Sequence, residues 1–90
     1  MWFVYILQSQ KNNRYYIGCS NNLERRLEEH NKGYNKSTKN NIPYKIIYVE
    51  DYSNQQVAYK REKQIKSYKG GEAFKKLISV GGRVVNYNRL

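Results

Sequence analysis

A chain of 90 residues bounds one small core, and its single cysteine and single histidine exclude both an internal disulfide and a Cys/His zinc cage. No stretch approaches the roughly 18 apolar residues of a membrane span, and the N-terminus carries no basic region ahead of a long apolar run. The chain is therefore expected to work in the reducing cytoplasm, away from any membrane.

Seventeen Lys and Arg against seven Asp and Glu leave a formal net charge of +10, which calls for a polyanionic partner. Ten tyrosines are interleaved with these bases, and because aromatic faces stack on bases, nucleic acid is favoured over a lipid surface.

In chain order, Met1 to Gln8 reads as a strand with Trp2, Val4 and Ile6 on one side and Phe3, Tyr5 and Leu7 on the other. Apolar on both faces, it belongs at the centre of a sheet. A polar turn, Gln10 to Asn13, returns the chain into a second strand at Arg14 to Cys19. The number of unpaired turn residues decides how the two strands face. An even number puts Tyr5 and Tyr16 on one face and an odd number on opposite faces. The commonest hairpin loops have two residues, so a shared face is expected. Simple cross-strand packing would also account for such a pair.

Ser20, Asn21 and Asn22 are all good helix caps, and Gly33 is a stop, which frames a helix over Leu23 to Lys32. At about 100° per residue Leu23 and Leu27 define its inward face. Arg26 and His30 fall on that face, whereas Glu24, Arg25, Glu28 and Glu29 point outward. A charge turned towards a core needs a partner, so Arg26 requires either a structural carboxylate or an anionic substrate.

Asn31 to Tyr44 reads as polar loop with a short helical turn near Ser37, and Lys36, Thr38 and Lys39 are candidate phosphate contacts. Tyr44 to Glu50 is a third strand. Ser53 or Asn54 then caps a helix reaching about Lys69, with Val57, Ala58, Ile65 and Tyr68 as its buried stripe. Glu62 is the only carboxylate in that helix, set among Lys60, Arg61, Lys63 and Lys66, and an ion pair with Arg61 or Lys66 is its simplest role. Arg61 projects closer to the stripe centre than Glu62 does, which the helical wheel leaves unexplained. Gly70-Gly71 ends the helix. Glu72 to Ser79 forms a last one, with Ala73, Phe74, Leu77 and Ile78 inward. Residues 1–79 are expected to form one domain and residues 80–90 a tail.

Taken together these segments resemble the GIY-YIG endonuclease superfamily, close to its small single-domain members. The first family tripeptide is degenerate here as Phe3-Val4-Tyr5, and the second is intact as Tyr16-Ile17-Gly18. Arg26 stands ten residues after Tyr16, His30 one helical turn later, and Ala58-Tyr59-Lys60-Arg61-Glu62 matches the segment ending in the family's metal-binding glutamate. The resemblance implies an α+β fold in which a three-stranded antiparallel sheet is flanked by helices, in the order β-β-α-(short α)-β-α-α. It implies hydrolysis of a DNA phosphodiester with one divalent metal, magnesium or another such as manganese, held by Glu62.

Under that resemblance Arg26 would hold the scissile phosphate through its planar fork. Tyr5 would orient or deprotonate the attacking water, for which a phenol with an ordinary pKa near 10 needs positive charge beside it. Tyr16 would be a second hydrogen-bonding partner, and His30 would accept or relay a proton. Which group is the base is left open. Gly18 would keep the strand end narrow beside the site. Lys36, Thr38, Lys39 and Lys66 would contact nucleic acid.

Three departures qualify the likeness. No second, DNA-selecting domain fits, so a separate protein would supply target specificity to a monomer or weak dimer. Cys19 takes a place often polar or basic in relatives. The family's further asparagine after the glutamate helix has no secure match. Structure-specific cleavage of DNA of the repair or recombination type is the leading expectation, with RNA an open alternative substrate. The competing reading is a non-catalytic nucleic-acid-binding module on the same fold, which would bind in a salt-sensitive way without cleaving.

Overall fold

The computed structural model describes residues 1–36 and 38–80, Val80 by its backbone alone. The tail expected over 80–90 therefore lies, from residue 81 onward, outside the described residues, as does Ser37. The elements are β1 (Trp2–Ser9), β2 (Tyr15–Ser20), α1 (Leu23–Asn31), a 3-10 turn (Lys39–Asn41), β3 (Tyr44–Tyr52), α2 (Gln55–Ser67) and α3 (Glu72–Val80). This is the α+β order expected, with the short turn displaced a little beyond residue 37.

β1 is the middle strand of an antiparallel sheet of order β2-β1-β3. Its alternation divides the interior into two layers. Val4 and Ile6, with Trp2 beside them, face Ala58 and Ile65 of α2 and Phe74 of α3. Tyr5 and Leu7, with Phe3, face Leu23 and Leu27 of α1. Helices thus cover both faces, which is why β1 is apolar throughout.

The β1–β2 register pairs Tyr5 with Gly18 and Leu7 with Tyr16, so the two site tyrosines are diagonal neighbours on the α1 face. The connection is a four-residue turn, Gln10 to Asn13, bounded by the Ser9 N–H bonded to the Arg14 carbonyl at 2.8 Å. It has the expected parity and two more residues than the commonest hairpin loop. On the other side β3 pairs with β1 as far as Tyr52, two residues beyond the expected strand end. A bulge at Ile6/Leu7 shifts which β3 residues face each layer.

Asparagines close the helix ends. Asn22 Oδ1 accepts from the Arg25 N–H at 3.0 Å, and Asn54 Oδ1 accepts from the N–H groups of Gln56 at 2.7 Å and Val57 at 3.2 Å. Two inward assignments need correction. Val57 is 48% exposed, and Ala73 is exposed as well. The α2 stripe therefore centres on Ala58 and Ile65, both fully buried, seven residues and nearly two turns apart.

The loop after α1 is held by side chains. Asn31 Nδ2 donates to the Tyr44 carbonyl at 3.1 Å and its Oδ1 accepts from the Tyr44 N–H at 2.6 Å. One amide thus imitates a strand neighbour at the start of β3 and fixes both ends of residues 32–43. Ser9, fully buried, accepts from the N–H groups of Lys11 and Asn12 and donates to the Asn41 carbonyl, joining the hairpin turn to the 3-10 turn. Asn31→Ala leaves two part-buried backbone groups without partners. It should lower unfolding free energy by about 2 kcal/mol in urea titration, while Lys63→Ala on the exposed side of α2 changes it by under about 0.5 kcal/mol.

Candidate active site at the β2 edge

Gly18 is the point about which the site is arranged. A Cβ there would stand 2.4 Å from Tyr5 Oη and 2.5 Å from Tyr5 Cζ, so the phenol ring of Tyr5 lies across the strand where β2 has no side chain. The Tyr5 hydroxyl is thereby carried towards the outer edge of the sheet. There it meets the Arg26 guanidinium, which comes from α1 on the same face. Glu62 approaches from α2 on the opposite face. Its charge acts both on Cys19, which points to the α2 layer, and on Tyr5, which points to the α1 layer. Glu62 is thus within electrostatic range of both layers beside β2.

Burial dominates the state of Tyr5, pushing its pKa up to about 12 against the pull of Arg26, with Tyr16 and Glu62 adding to the rise. Of the two roles open to Tyr5, orienting the water or deprotonating it, this favours the first. Arg26 is beside it, yet desolvation wins and the phenol stays a donor. Burial, with Glu62 second, also lifts the Cys19 thiol to about 11, which leaves it an unreactive filler of the α2 layer.

Arg26 keeps a carboxylate partner, as its inward position required. Nη1 donates to Glu29 Oε1 at 3.1 Å, with the two side chains 35% and 33% exposed. Glu29 is consequently only half outward, a correction to its placement among the outward residues. Glu29 and the Tyr5 hydroxyl take part of the fork, and its remaining donors are left for an anion. Arg61 differs. Its Nε and Nη2 donate to Glu50 Oε1 and Oε2, each at 2.9 Å, and Nη1 donates to Gln64 Oε1 at 2.8 Å. The same Glu50 carboxylate accepts from the Tyr48 and Tyr52 hydroxyls.

His30 is fully buried, with the rings of Tyr16, Tyr44 and Tyr5 edge-on around it at 4.8, 6.0 and 6.5 Å. Its Nδ1 is 2.9 Å from Thr38 Oγ1, and among the described residues Nε2 has no hydrogen-bond partner. Thr38 is itself 2% exposed, so the assignment of Thr38 to a phosphate contact is corrected: its hydroxyl orients His30. Lys36 and Lys39 on either side are exposed and remain available. Lys66 Nζ lies 2.9 Å from Glu62 Oε2, so the ion pair considered for Glu62 forms with Lys66 and not with Arg61.

A depression of about 510 Å³ runs along α1 past Glu24, Leu27 and Glu28, away from these groups. Its two carboxylates disfavour a phosphate. Among the described residues no three His, Cys, Asp or Glu side chains gather into a metal cage. The donor set at the β2 edge nevertheless fits one kind of ion. Glu62 presents a hard carboxylate, 19% exposed, that already accepts the Lys66 ammonium. Magnesium, which keeps most of its shell for water and phosphate, asks for little more than one such ligand.

Of the sequence-based candidates, Tyr5, Tyr16, Arg26 and His30 come together on the α1 face, and the charge of Glu62 on α2 is felt at Tyr5. Glu29, Tyr44 and the Glu50–Arg61 pair were not foreseen. Glu29 was readable as the residue three after Arg26. Glu50 was readable as a carboxylate alternating with Tyr48 and Tyr52 on one strand face. Nothing local marks Tyr44 as a neighbour of His30.

Burial, then the Arg26 charge, lowers the His30 pKa from 6.5 to about 4, and Glu29 opposes this only in part. The neutral ring is favoured in the fold, so its contribution to stability is complete above pH 6.5 and is lost as pH falls from there through about 4. In urea titration the unfolding free energy of the wild type should exceed that of His30→Gln by more at pH 7 than at pH 4, the change being on the order of 2 kcal/mol.

Comparison with known proteins agrees with this geometry. A family model described as the GIY-YIG catalytic domain matches residues 1–75. The UPF0213 protein CPE1444 of Clostridium perfringens is 34% identical over 90 residues, covering 99% of this chain and 96% of its own. The UPF0213 protein SH2523 of Staphylococcus haemolyticus is 37% identical over 67 residues, covering 73% of this chain and 80% of its own. The solution NMR structure of the UPF0213 protein BH0048 from Bacillus halodurans shares the fold with a TM-score of 0.58 at 22% identity, over 98% of this chain and 92% of that one. With the family model matching 75 of its 90 residues, two tyrosine strands, an arginine helix and a glutamate helix among them, the chain belongs to the GIY-YIG family.

Proposed function

We infer that the protein is a divalent-metal-dependent endonuclease that hydrolyses DNA phosphodiester bonds at the β2 edge, in the manner of a structure-specific repair or recombination enzyme. What supports this reading is the Arg26 guanidinium bonded to the Tyr5 hydroxyl, with the Glu62 charge from α2 felt at the same phenol. Neither a packing role nor a binding role needs a carboxylate brought to a phenol and a guanidinium on a chain of net charge +10.

In this reading the free donors of the Arg26 fork take the non-bridging oxygens of the scissile phosphate and balance the charge that gathers there during attack. Tyr5, held protonated, donates a hydrogen bond that orients the attacking water or a phosphate oxygen. Tyr16, half-buried, closes the other side of the same strand pair. His30 is fully buried, so it acts by fixing the Tyr5 and Tyr16 rings rather than by touching substrate. Water attacks phosphorus, the phosphorus–oxygen bond to the leaving strand breaks, and that oxygen takes up a proton.

Glu62 would hold the ion, and when bound the ion supplies positive charge that polarises the phosphoryl group and makes a nearby water more acidic. Lys66 gives up Glu62 at that point and turns to the DNA backbone. Exposed Lys60, Lys63 and Lys69 extend the cationic surface along α2 and past its end, and Lys36 and Lys39 supply it beyond α1.

Nicking of labelled duplex, flap and junction DNA should require magnesium or manganese, and Arg26→Ala or Glu62→Ala should each lower the rate at least about a hundredfold. Arg26→Lys should recover little, because the fork is lost although the charge stays. Equal nicking by all preparations would contradict the assignment. Tyr5→Phe should lower the rate while leaving a rate–pH profile parallel to that of the wild type up to pH 10, since Tyr5 ionises only near 12. An inflection below pH 10 that disappears in Tyr5→Phe would make Tyr5 the base.

A further inference from the structure

Arg61 and Glu62 are consecutive, yet they serve opposite edges of the sheet. With the α2 stripe centred on the fully buried Ala58 and Ile65, each lies roughly 50° from that centre, on opposite flanks, at about 100° per residue. On one flank Arg61 reaches β3, the strand at one edge, where it makes the two-point bond to Glu50. Glu62, on the other flank, is turned away from β3 towards the β2 side of the sheet, where Cys19 and Tyr5 feel its charge.

A fork meeting a carboxylate in two parallel bonds tolerates little rotation. Tyr48 and Tyr52 hold Glu50 from both sides, and the Arg61 and Glu50 side chains are only 23% and 17% exposed, so water competes weakly for either. The buried stripe of Ala58 and Ile65 supplies apolar contact, which unlike a two-point bond has no preferred direction. We propose that Glu50 and Arg61 are positioning residues that set the rotation of α2 and so hold Glu62 at the β2 edge. The proposal rests on the reading of Glu62 as the metal ligand for its functional meaning, but not for its geometry.

Two measurements on the full chain separate these levels. The first is manganese affinity by calorimetry, without DNA. Arg61→Lys, which keeps the charge and loses the fork, and Glu50→Gln, which keeps the shape and loses the charge, should each weaken binding about tenfold, the scale of losing support for a metal ligand. A core variant, Ile65→Val or Ile65→Ala, chosen to match their loss of melting temperature, should stay within about twofold of the wild type. The second is the amide NMR shifts of Gly18, Cys19 and Glu62 in metal-free protein. They should move in Arg61→Lys and Glu50→Gln and stay in place in the matched Ile65 variant.

Equal weakening in all three variants, or unmoved shifts in the two polar ones, would overturn the proposal. Equal manganese affinity in the wild type and Glu62→Gln would instead remove Glu62 as the ligand. The metal-free shifts would then still decide whether Glu50 and Arg61 set the helix.

Discussion

The whole site depends on one missing methyl group. β2 runs along the edge of the sheet, and a side chain at position 18 would stand where the Tyr5 ring now lies. Because the strand is bare there, a residue of the central strand reaches the outer edge without leaving its own face. Helices packed on opposite faces can then contribute to one place. α1 brings Arg26 over one side of β2 and α2 brings Glu62 around the other, each from a helix seated on its own apolar layer. Among the described residues no separate lobe builds a cleft beside these groups.

The two arginines most turned towards the interior show how partner count separates structure from chemistry. Arg61 directs all three guanidinium nitrogens at fixed acceptors on Glu50 and Gln64. The Glu50 carboxyl is accordingly held below the usual range, burial notwithstanding, by Arg61 and the two tyrosine hydroxyls. That arrangement is closed. Arg26 bonds Glu29 through Nη1 and meets the Tyr5 phenol, which burial keeps protonated, and the rest of its fork still has directions left for an anion. His30 follows the same logic: in a cage of three tyrosine rings the imidazolium has nowhere favourable to go, and the neutral ring serves to hold those rings.

Period-two and 3.6-residue patterns carried much of this in the sequence. Alternation in β1 told its two faces apart, turn parity put Tyr5 beside Tyr16, and the helical wheel turned Arg26 and His30 to the same side. Each is a local rule acting within an element or across one turn. The misses are non-local. Val57 was counted into the α2 stripe because it is apolar, and that pulled the inferred centre towards Arg61; with Val57 exposed, Arg61 and Glu62 become flanking residues and the anomaly disappears. The partner of Arg61 sits on β3, eleven residues earlier, which no wheel displays. Thr38 was read as surface because its neighbours are lysines and asparagines. Its burial follows from the Asn31 grip on Tyr44, a contact between segments 13 residues apart.

Assembly of one metal-binding edge from both faces of the sheet is open to direct measurement. Manganese added to isotopically labelled wild-type protein broadens NMR signals according to their distance from the ion. The backbone signals of Tyr5, Gly18 and Cys19 and the Nε–H signal of Arg26 should all broaden at the same low manganese occupancy, together with Glu62. Broadening confined to α2, with Tyr5 and Arg26 left sharp, would contradict a shared site.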